Sequence, residues 1–249
     1  MTDSGDSAVV VGGASGIGAA VVERYRTAGR QVVTWDVHDP ADVTCDVTDE
    51  HQIDDALAAT IARCADAPTE ITVTAGIGHS GLLTDVTRAE WDRVLAVNLT
   101  GPWLVMRAWA RYYAQHEMTA SMVATSSVSA RLVDRSMGAY CASKAALSMT
   151  VRIAAAEWAP AIRVNAVAPG VTATPMLGGA PVDRGWLGNV ADRTALHRIG
   201  SADDIADAVF ALHALPWVTG QVLEADGGLS LHSPINAWGE VNRDQPIGG

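Results

Sequence analysis

AVVVGGASGIG, at residues 8–18, is the stretch that most constrains the architecture of this chain. Its four leading apolar residues, three of them valine, are typical of a buried strand. The glycines that follow indicate a tight turn, because glycine adopts backbone conformations that other residues avoid. The apolar residues after the turn predict a helix, so the stretch indicates strand, glycine-rich turn and helix in that order.

The same alternation continues to the end of the chain, and it predicts an α/β fold with a doubly wound parallel sheet. At 249 residues the chain fits a single domain, 1–249. Gly29 is a predicted helix stop, and Thr48 or Asp49 a predicted start. Strands are predicted at 9–11, 31–35, 71–74, 122–125, 163–167 and 221–224. Helices are predicted at 16–28, 49–64, 88–114, 139–159 and 202–212.

Charge and composition exclude several classes of function. The net charge of −11 disfavours a nucleic-acid or anionic-membrane partner, since both require a positive face. The sequence contains neither a membrane-length apolar run nor the basic and apolar start of a signal peptide, so a cytoplasmic protein is expected. Cys45, Cys64 and Cys141 are too widely spaced for a zinc pair, and no histidine pair has metal-ligand spacing, so no metal is predicted.

Tyr140 and Lys144 are the first candidates for chemistry. Residues four apart lie on one face of a helix, so the ammonium and the phenol can meet. A nearby cation stabilises the phenolate, so we expect Lys144 to lower the pKa of Tyr140. Ser127 ends an apolar strand shortly before this helix and provides a hydroxyl.

These features together resemble the short-chain dehydrogenase/reductase family, in the branch with a Gly-x-x-x-Gly-x-Gly turn and a Tyr-x-x-x-Lys site. The resemblance covers nearly the whole chain and implies a Rossmann-type fold with helices on both faces of the sheet. Further matches, in chain order, are Asp46-Val47, Ala75-Gly76, Val97-Asn98, Pro169-Gly170, Thr174-Pro175 and Asp226-Gly227-Gly228.

The resemblance implies a nicotinamide dinucleotide cofactor. The glycine turn would approach the pyrophosphate, whose charge suits the N–H groups at the start of the following helix. Asp36 closes the second strand, where its carboxylate would accept hydrogen bonds from the adenine-side ribose and repel a 2′-phosphate. Ser15 and Val37 stand where NADP-preferring members carry Arg or Lys, so NAD is predicted. The implied cofactor-binding residues are Gly12, Ser15, Gly16, Ile17, Gly18, Asp36, Asp46, Val47, Ala75, Gly76, Tyr140, Lys144, Pro169, Gly170, Val171 and Thr174.

By the same resemblance four residues carry the chemistry. Tyr140 would be the general acid/base, and Lys144 would assist it and hold the nicotinamide ribose. Ser127 would donate a hydrogen bond to the substrate oxygen. Asn98 would hold a water that links Lys144 to solvent. Alternatively, Asn98 marks a local helix kink or is a buried hydrogen-bonding residue. His79, Ser80, Asp134 and Arg135 are adjacent loop residues to which no role is assigned.

The chain departs from the family pattern in two places. The family usually begins its glycine turn with Thr, where this chain has Val11. After the fourth strand it usually has Asn-Asn-Ala-Gly, where this chain has Val73-Thr74-Ala75-Gly76. In the family that threonine hydroxyl ties two strand ends together, so the two changes fall on one contact and are expected to compensate each other.

The stretch 175–200 is predicted to be an irregular substrate lid, and 232–249 a C-terminal tail that packs on a neighbour or is disordered. An apolar secondary alcohol or ketone, such as a terpenoid, steroid or cyclic alcohol, is the expected substrate, and a homotetramer the expected assembly. A 3-oxoacyl-thioester reductase using NADPH and a non-catalytic dinucleotide-binding sensor or scaffold remain as alternatives. The expected pocket lining is Val128, Leu132, Met137, Met176, Leu177, Trp186 and Leu187.

Overall fold

A computed structural model describes residues 7–178 and 184–231 of the chain. Residues 179–183 of the predicted lid and the whole predicted tail, 232–249, therefore lie outside the described residues. The strands are β1 (Ala8–Val11), β2 (Val32–Asp36), β3 (Val43–Thr44), β4 (Glu70–Val73), β5 (Ala120–Thr125), β6 (Ile162–Pro169), β7 (Thr172–Ala173), β8 (Gly200–Ser201) and β9 (Val222–Ala225). The α-helices are α1 (Gly16–Thr27), α2 (Glu50–Arg63), α3 (Arg88–Leu95), α4 (Gly101–Gln115), α5 (Gly138–Trp158), α6 (Pro175–Gly178), α7 (Arg184–Arg193) and α8 (Ala202–Ala214).

Seven strands form one parallel sheet in the order β3-β2-β1-β4-β5-β6-β9. The order reverses direction after β1, because β2 and β3 lie on one side of it and β4 on the other. The predicted doubly wound parallel sheet is therefore confirmed. In such sheets ligands bind beyond the carboxyl ends of the strands, near the point of reversal.

Each face of the sheet carries its own apolar core, because parallel strands are buried on both sides. On one face Trp35 of β2 stacks on Trp109 of α4, with ring centroids 6.0 Å apart, and both rings are fully buried. The other face packs α1 and α8 together, with Val21 and Ile205 in the same cluster. The helices thus cover both faces, as the family resemblance implied.

The helix that was predicted over 88–114 is interrupted. A π-helical turn, Ala96–Thr100, separates α3 from α4, and Asn98 lies fully buried within it. The predicted irregular lid is also more regular than expected, since α6 and α7 lie within it and β8 pairs with β7. Both corrections concern tertiary contacts that local sequence does not specify.

Two absences hold for the residues that the structure describes. No helix among them is long and apolar enough to cross a bilayer. Within the same ranges no cluster of three or more His, Cys, Asp or Glu side chains could hold a metal ion. All three cysteines are unpaired thiols.

Candidate active site

The glycine turn lies at the carboxyl end of β1, in close contact with its neighbours. Gly12 donates its N–H to the Trp35 carbonyl at 2.7 Å and has φ +83°. A Cβ at Gly12 would lie 2.6 Å from the Ala75 nitrogen, and a Cβ at Gly18 would collide with the Gly12 carbonyl. Glycine is required at both positions, because a side chain would force the turn away from β4 and from α1.

Helix α1 begins at this turn, with Ser15 as N-cap and no acidic residue in its first turn. The N–H groups of a first helical turn have no partners within the helix, and they carry the positive end of the helix dipole. A Cβ at Gly16 would lie 3.5 Å from Thr174 Cβ, so the segment after β6 faces the same turn. The arrangement fits the pyrophosphate of a dinucleotide, which needs close backbone approach and unpaired N–H donors.

Thr74 ties the ends of β1 and β4 together. Its Oγ1 lies 2.9 Å from the Val11 carbonyl oxygen and 3.0 Å from that of Gly12. The Thr74 and Ala75 N–H groups also donate to the Val11 carbonyl, at 2.8 and 3.1 Å. The expected compensation is therefore observed: the hydroxyl comes from β4 instead of β1.

Asp36 ends β2 beside the glycine turn. Its Oδ2 accepts a hydrogen bond from the Ala14 N–H at 3.0 Å, and its Oδ1 accepts one from the His38 N–H at 3.1 Å. These bonds orient the carboxylate at the carboxyl edge of the sheet. They leave lone pairs on both oxygens, since a carboxylate oxygen can accept more than one hydrogen bond.

Asp46 and Val47 follow β3, as the resemblance implied, but their environments differ. Asp46 Oδ1 accepts hydrogen bonds from the N–H and hydroxyl of Thr48, at 2.9 and 2.8 Å. Val47 is buried in the apolar core and lies against Gly101 at the start of α4. Asp46 therefore stabilises the turn after β3, and Val47 anchors that turn to the start of α4.

Asn98 fixes the loop after β4 by pairing with both backbone groups of Ile77. Its Oδ1 accepts the Ile77 N–H at 2.8 Å, and its Nδ2 donates to the Ile77 carbonyl at 2.9 Å. A Cβ at Gly76 would lie 3.3 Å from Asn98 Oδ1 and 3.4 Å from Lys144 Nζ. Gly76, Asn98 and Lys144 thus meet at one point, and the kink considered as the alternative role of Asn98 is also present.

Lys144 and Tyr140 project from the first two turns of α5 toward the same edge. Lys144 Nζ donates to the Thr125 carbonyl at 2.8 Å and lies 5.8 Å from the centroid of the Tyr140 ring. Burial lowers the pKa of Lys144 to about 8. Burial also raises the pKa of Tyr140, while a side-chain hydrogen bond with Ser127 acts in the opposite direction. The expected lowering of the Tyr140 pKa was therefore wrong, because burial disfavours the phenolate more than the hydrogen bond with Ser127 favours it, and the charges of Cys141 and Asp134 add to the effect of burial.

Ser127 is held in place by the loop between β5 and α5. Its Oγ accepts the Ser129 N–H at 3.1 Å, so its own proton is available for the hydrogen bond with Tyr140. Ser129 Oγ in turn donates to Asp134 Oδ2 at 2.5 Å. The negative charge of Asp134 contributes to raising the pKa of Tyr140. Asp134, for which no role was predicted, is thus linked to the site. Its position between Ser127 and Tyr140 in the chain is the one signal that could have indicated this.

The segment after β6 completes the cleft. Gly170 donates its N–H to the Ala225 carbonyl at 3.2 Å, and a Cβ at this position would lie 2.8 Å from Asp226 Cα. Pro169 ends β6, and Val171 accepts a hydrogen bond from the Gly200 N–H at 2.9 Å. These residues bring the start of the predicted lid to the same edge as the glycine turn.

An open cavity of about 500 Å³ adjoins this edge on the far side of the loop that carries Asp134. Its walls are mostly apolar and include Leu82, Leu83 and Leu132. Of the seven predicted pocket residues, Leu132 alone lines this particular cavity. Met176 lies instead against the loop after β4, where a Cβ at Gly78 would be 3.7 Å from its Cγ.

The doubly wound sheet, the glycine turn at its point of reversal and the Tyr-Lys pair at the same edge define a dinucleotide-binding oxidoreductase. A family model described as enoyl-(acyl carrier protein) reductase matches residues 12–230. The chain belongs to the short-chain dehydrogenase/reductase family, whose members bind a nicotinamide dinucleotide.

Characterised relatives align over most of their length. The chain is 33% identical to cis-4-hydroxycyclohexanecarboxylate dehydrogenase of Sinomonas cyclohexanicum, over 89% of this chain and 95% of the relative. It is 34% identical to galactitol 2-dehydrogenase of Rhizobium johnstonii, over 91% and 95%. The ligand-free aldohexose dehydrogenase of Thermoplasma acidophilum superposes with a TM-score of 0.86 at 29% identity, over 93% of this chain and 96% of that one.

Proposed function

We propose that this protein is an NAD-dependent oxidoreductase that interconverts a secondary alcohol and a ketone. The observation that carries the proposal is the meeting of four side chains beside the glycine turn: Tyr140, Lys144, Ser127 and Asn98. Tyr140 and Lys144 share α5, whereas Ser127 follows β5 and Asn98 lies in the π-helical turn before α4, so only the folded sheet brings these three segments together. The characterised relatives described above act on alcohols, which supports the same reaction class.

In this proposal Tyr140 accepts the alcohol proton during oxidation and returns it during ketone reduction. The nicotinamide, when bound, supplies or takes up the hydride. Ser127 donates a hydrogen bond to the substrate oxygen as negative charge develops there. Lys144 donates hydrogen bonds to the hydroxyls of the nicotinamide ribose. Asn98 holds the loop at Gly76 and supports a water that exchanges protons between Lys144 and solvent.

The preference for NAD over NADP rests on Asp36. Its carboxylate lies beside the glycine turn, where the adenosine ribose of a bound dinucleotide would come close. A 2′-phosphate would bring two like charges together at this point, which is unfavourable. The overall charge of −11 adds to that repulsion.

For the substrate we propose a cyclic secondary alcohol with apolar character. Helices α6 and α7 present Met176 and Trp186 at the surface, with 49% and 41% of each residue exposed. A lid over residues 175–200 that closes on substrate would bury this apolar area. The hydroxylated cyclohexane substrate named for one relative agrees with such a ligand, whereas the galactitol named for another is more polar.

We further propose a cytoplasmic homotetramer. Helix α5 exposes Met149 and Ile153, 53% and 50% of whose surface is accessible, on one face. Trp103 of α4 is 38% exposed with the Arg107 guanidinium 4.7 Å above its ring. Apolar side chains grouped on a helix face indicate an interaction surface.

Two other functions have less support than this proposal. For a 3-oxoacyl-thioester reductase using NADPH, the support is the acyl carrier protein in the description of the family model, which names an enoyl and not a 3-oxoacyl substrate. Asp36 and the acidic charge oppose it, since such an enzyme must accept a 2′-phosphate and an acidic carrier. A silent dinucleotide-binding sensor or scaffold would not need Ser127, Tyr140 and Lys144 together.

Initial rates with NAD and NADP in parallel test the proposal. The substrates are a panel of cyclic secondary alcohols, an open-chain polyol, the matching ketones and a 3-oxoacyl thioester. Turnover of a cyclic alcohol with NAD at the higher kcat/KM supports the proposal. Preference for NADPH and the thioester would instead establish the first alternative, and absence of turnover with tight NADH binding would favour the sensor.

A further inference from the structure

The loop after β2 places a histidine against the carboxylate that faces the adenosine ribose. His38 Nδ1 lies 3.3 Å from Asp36 Oδ1, and the His38 N–H donates to the same oxygen at 3.1 Å. The His38 side chain is 81% exposed, while that of Asp36 is 12% exposed. The imidazole therefore forms the solvent side of the Asp36 site, and the Ala14 N–H of the glycine turn forms its inner side.

The other charged groups of this loop are acidic. Asp39 follows His38 directly, and Asp42 turns its Oδ2 toward the Thr34 N–H and hydroxyl, at 2.9 and 2.8 Å. Among the residues that the structure describes, His38 is the one basic side chain within ion-pair distance of Asp36. The charge presented to the ribose therefore depends on the protonation of this imidazole.

We propose that His38 sets the discrimination between NAD and NADP and makes it dependent on pH. The inference rests on the proposed binding of the adenosine ribose at Asp36. Histidine is the side chain whose charge ordinarily changes between about pH 5 and 8. Neutral His38 leaves Asp36 as a full negative charge against a 2′-phosphate. Protonated His38 offsets that charge and also offers an N–H donor to the phosphate.

The two dinucleotides respond differently because they differ only at the 2′ position. A 2′-hydroxyl donates to Asp36 and gains nothing from a cation beside it. For a 2′-phosphate, protonation of His38 weakens the repulsion by Asp36 and adds an attraction to the imidazolium. An exposed pair of this kind contributes modestly, so the selectivity for NADH over NADPH should fall about threefold to fivefold when the imidazole is protonated.

The test is equilibrium binding of NADH and NADPH, followed by nicotinamide fluorescence at about pH 6 and about pH 8. The wild type is compared with His38→Gln, which is neutral at both values. A 2′-phosphate itself titrates with a second pKa of about 6, and the comparison removes this contribution because both proteins meet the same ligand. His116→Gln is the matched control, since His116 follows α4 at the opposite edge of the sheet.

The inference predicts that the NADPH-to-NADH ratio of dissociation constants falls more in the wild type than in His38→Gln on going to the lower pH. His116→Gln should behave as the wild type, and the difference should shrink at high salt. Equal pH dependence in the wild type and His38→Gln would overturn the inference while leaving the proposed function intact. Failure to bind either dinucleotide at either pH would overturn both.

Discussion

Asp134 connects the loop before α5 to Tyr140, the proposed acid/base residue. Its charge contributes to raising the pKa of Tyr140. Its Oδ2 accepts a hydrogen bond from the Ser129 hydroxyl, and the Ser129 N–H donates to Ser127 Oγ. Since alcohol oxidation needs the phenolate, its rate should rise with pH until Tyr140 is ionised.

Asp134→Asn should therefore move the rising limb of the pH profile of kcat/KM to lower pH. The amide oxygen can still accept from Ser129, so the loop keeps its hydrogen bond while the charge is lost. Asp85→Asn, at an exposed loop position, is the control and should leave the profile in place. An unchanged profile in Asp134→Asn would show that the carboxylate acts on the loop alone.

The spacing of Tyr140 and Lys144 was sufficient to predict that both side chains face one edge, because helix geometry fixes that relation locally. The direction of the Tyr140 pKa shift was not predictable in the same way. The shift depends on how completely β5, the loop at Asp134 and the neighbouring helices surround the phenol. These contacts are tertiary, so no local sequence pattern predicts them. For the same reason the Thr125 carbonyl that holds Lys144 had no sequence signal.

At the scale of elements, the π-helical turn between α3 and α4 decides where Asn98 points. A continuous α-helix was predicted over 88–114, because the apolar spacing continues across the turn. The extra residue per turn rotates Asn98 into the core, where it pairs with both backbone groups of Ile77. Such turns are common at functional sites, but they leave little trace in a single sequence.

Asn98→Ala should lower the free energy of unfolding by about 1–3 kcal/mol, because it leaves the partly buried N–H and C=O of Ile77 without their partner. It should also lower kcat, since the loop at Gly76 loses its support beside Lys144. Chemical denaturation and initial rates measure the two effects. Thr100→Ala, an exposed position in the same turn, should change neither, and a loss below 0.5 kcal/mol for Asn98→Ala would contradict the account.

The predicted lid shows that local sequence patterns predict short helices and strands poorly. The glycines and Pro181 indicated an irregular segment, yet α6, α7 and the pairing of β7 with β8 lie within it. Helices this short bury too few residues to establish a periodic apolar pattern. Six of the seven strands of the main sheet, in contrast, were predicted to within two residues at each end, because each contains a run of mostly apolar residues. The exception is β3, which has only two residues and was not among the predicted strands.

For the whole molecule, the edge of the sheet opposite the active site carries a buried polar network. His213 lies between two hydroxyls, with Nε2 3.0 Å from Thr72 Oγ1 and Nδ1 2.9 Å from Ser121 Oγ. Burial lowers the pKa of His213 to about 4, while Glu70 opposes this shift and Arg163 and Arg30 add to it. The imidazole is therefore neutral in the folded protein near neutral pH.

Stability should fall as the pH drops from about 6.5 to about 4, because in that window the unfolded chain binds a proton at His213 that the folded chain does not. The contribution is on the order of 2–3 kcal/mol at the acid end. Urea unfolding of the wild type and His213→Gln across this range measures it. The variant should show a flatter dependence; parallel curves would show that groups other than His213 cause the acid sensitivity in this range.

The assembly is also a property of the whole molecule. Met149→Glu combined with Ile153→Glu should reduce the mass measured by light scattering, because charges would have to be buried in the proposed interface. Ala58→Glu, at an exposed position of α2, is the control. A tetramer that persists in the double variant would place the interface on another face of the molecule.

The proposed function requires Tyr140 to move the proton in a dinucleotide-dependent oxidation of an alcohol. The decisive experiment compares wild type and Tyr140→Phe for initial-rate oxidation with NAD and for NADH binding in the same preparation. Turnover should be lost with nearly unchanged NADH affinity, because the variant removes one hydroxyl and keeps the ring. Retained turnover, or loss of NADH binding together with activity, would contradict the role assigned to Tyr140.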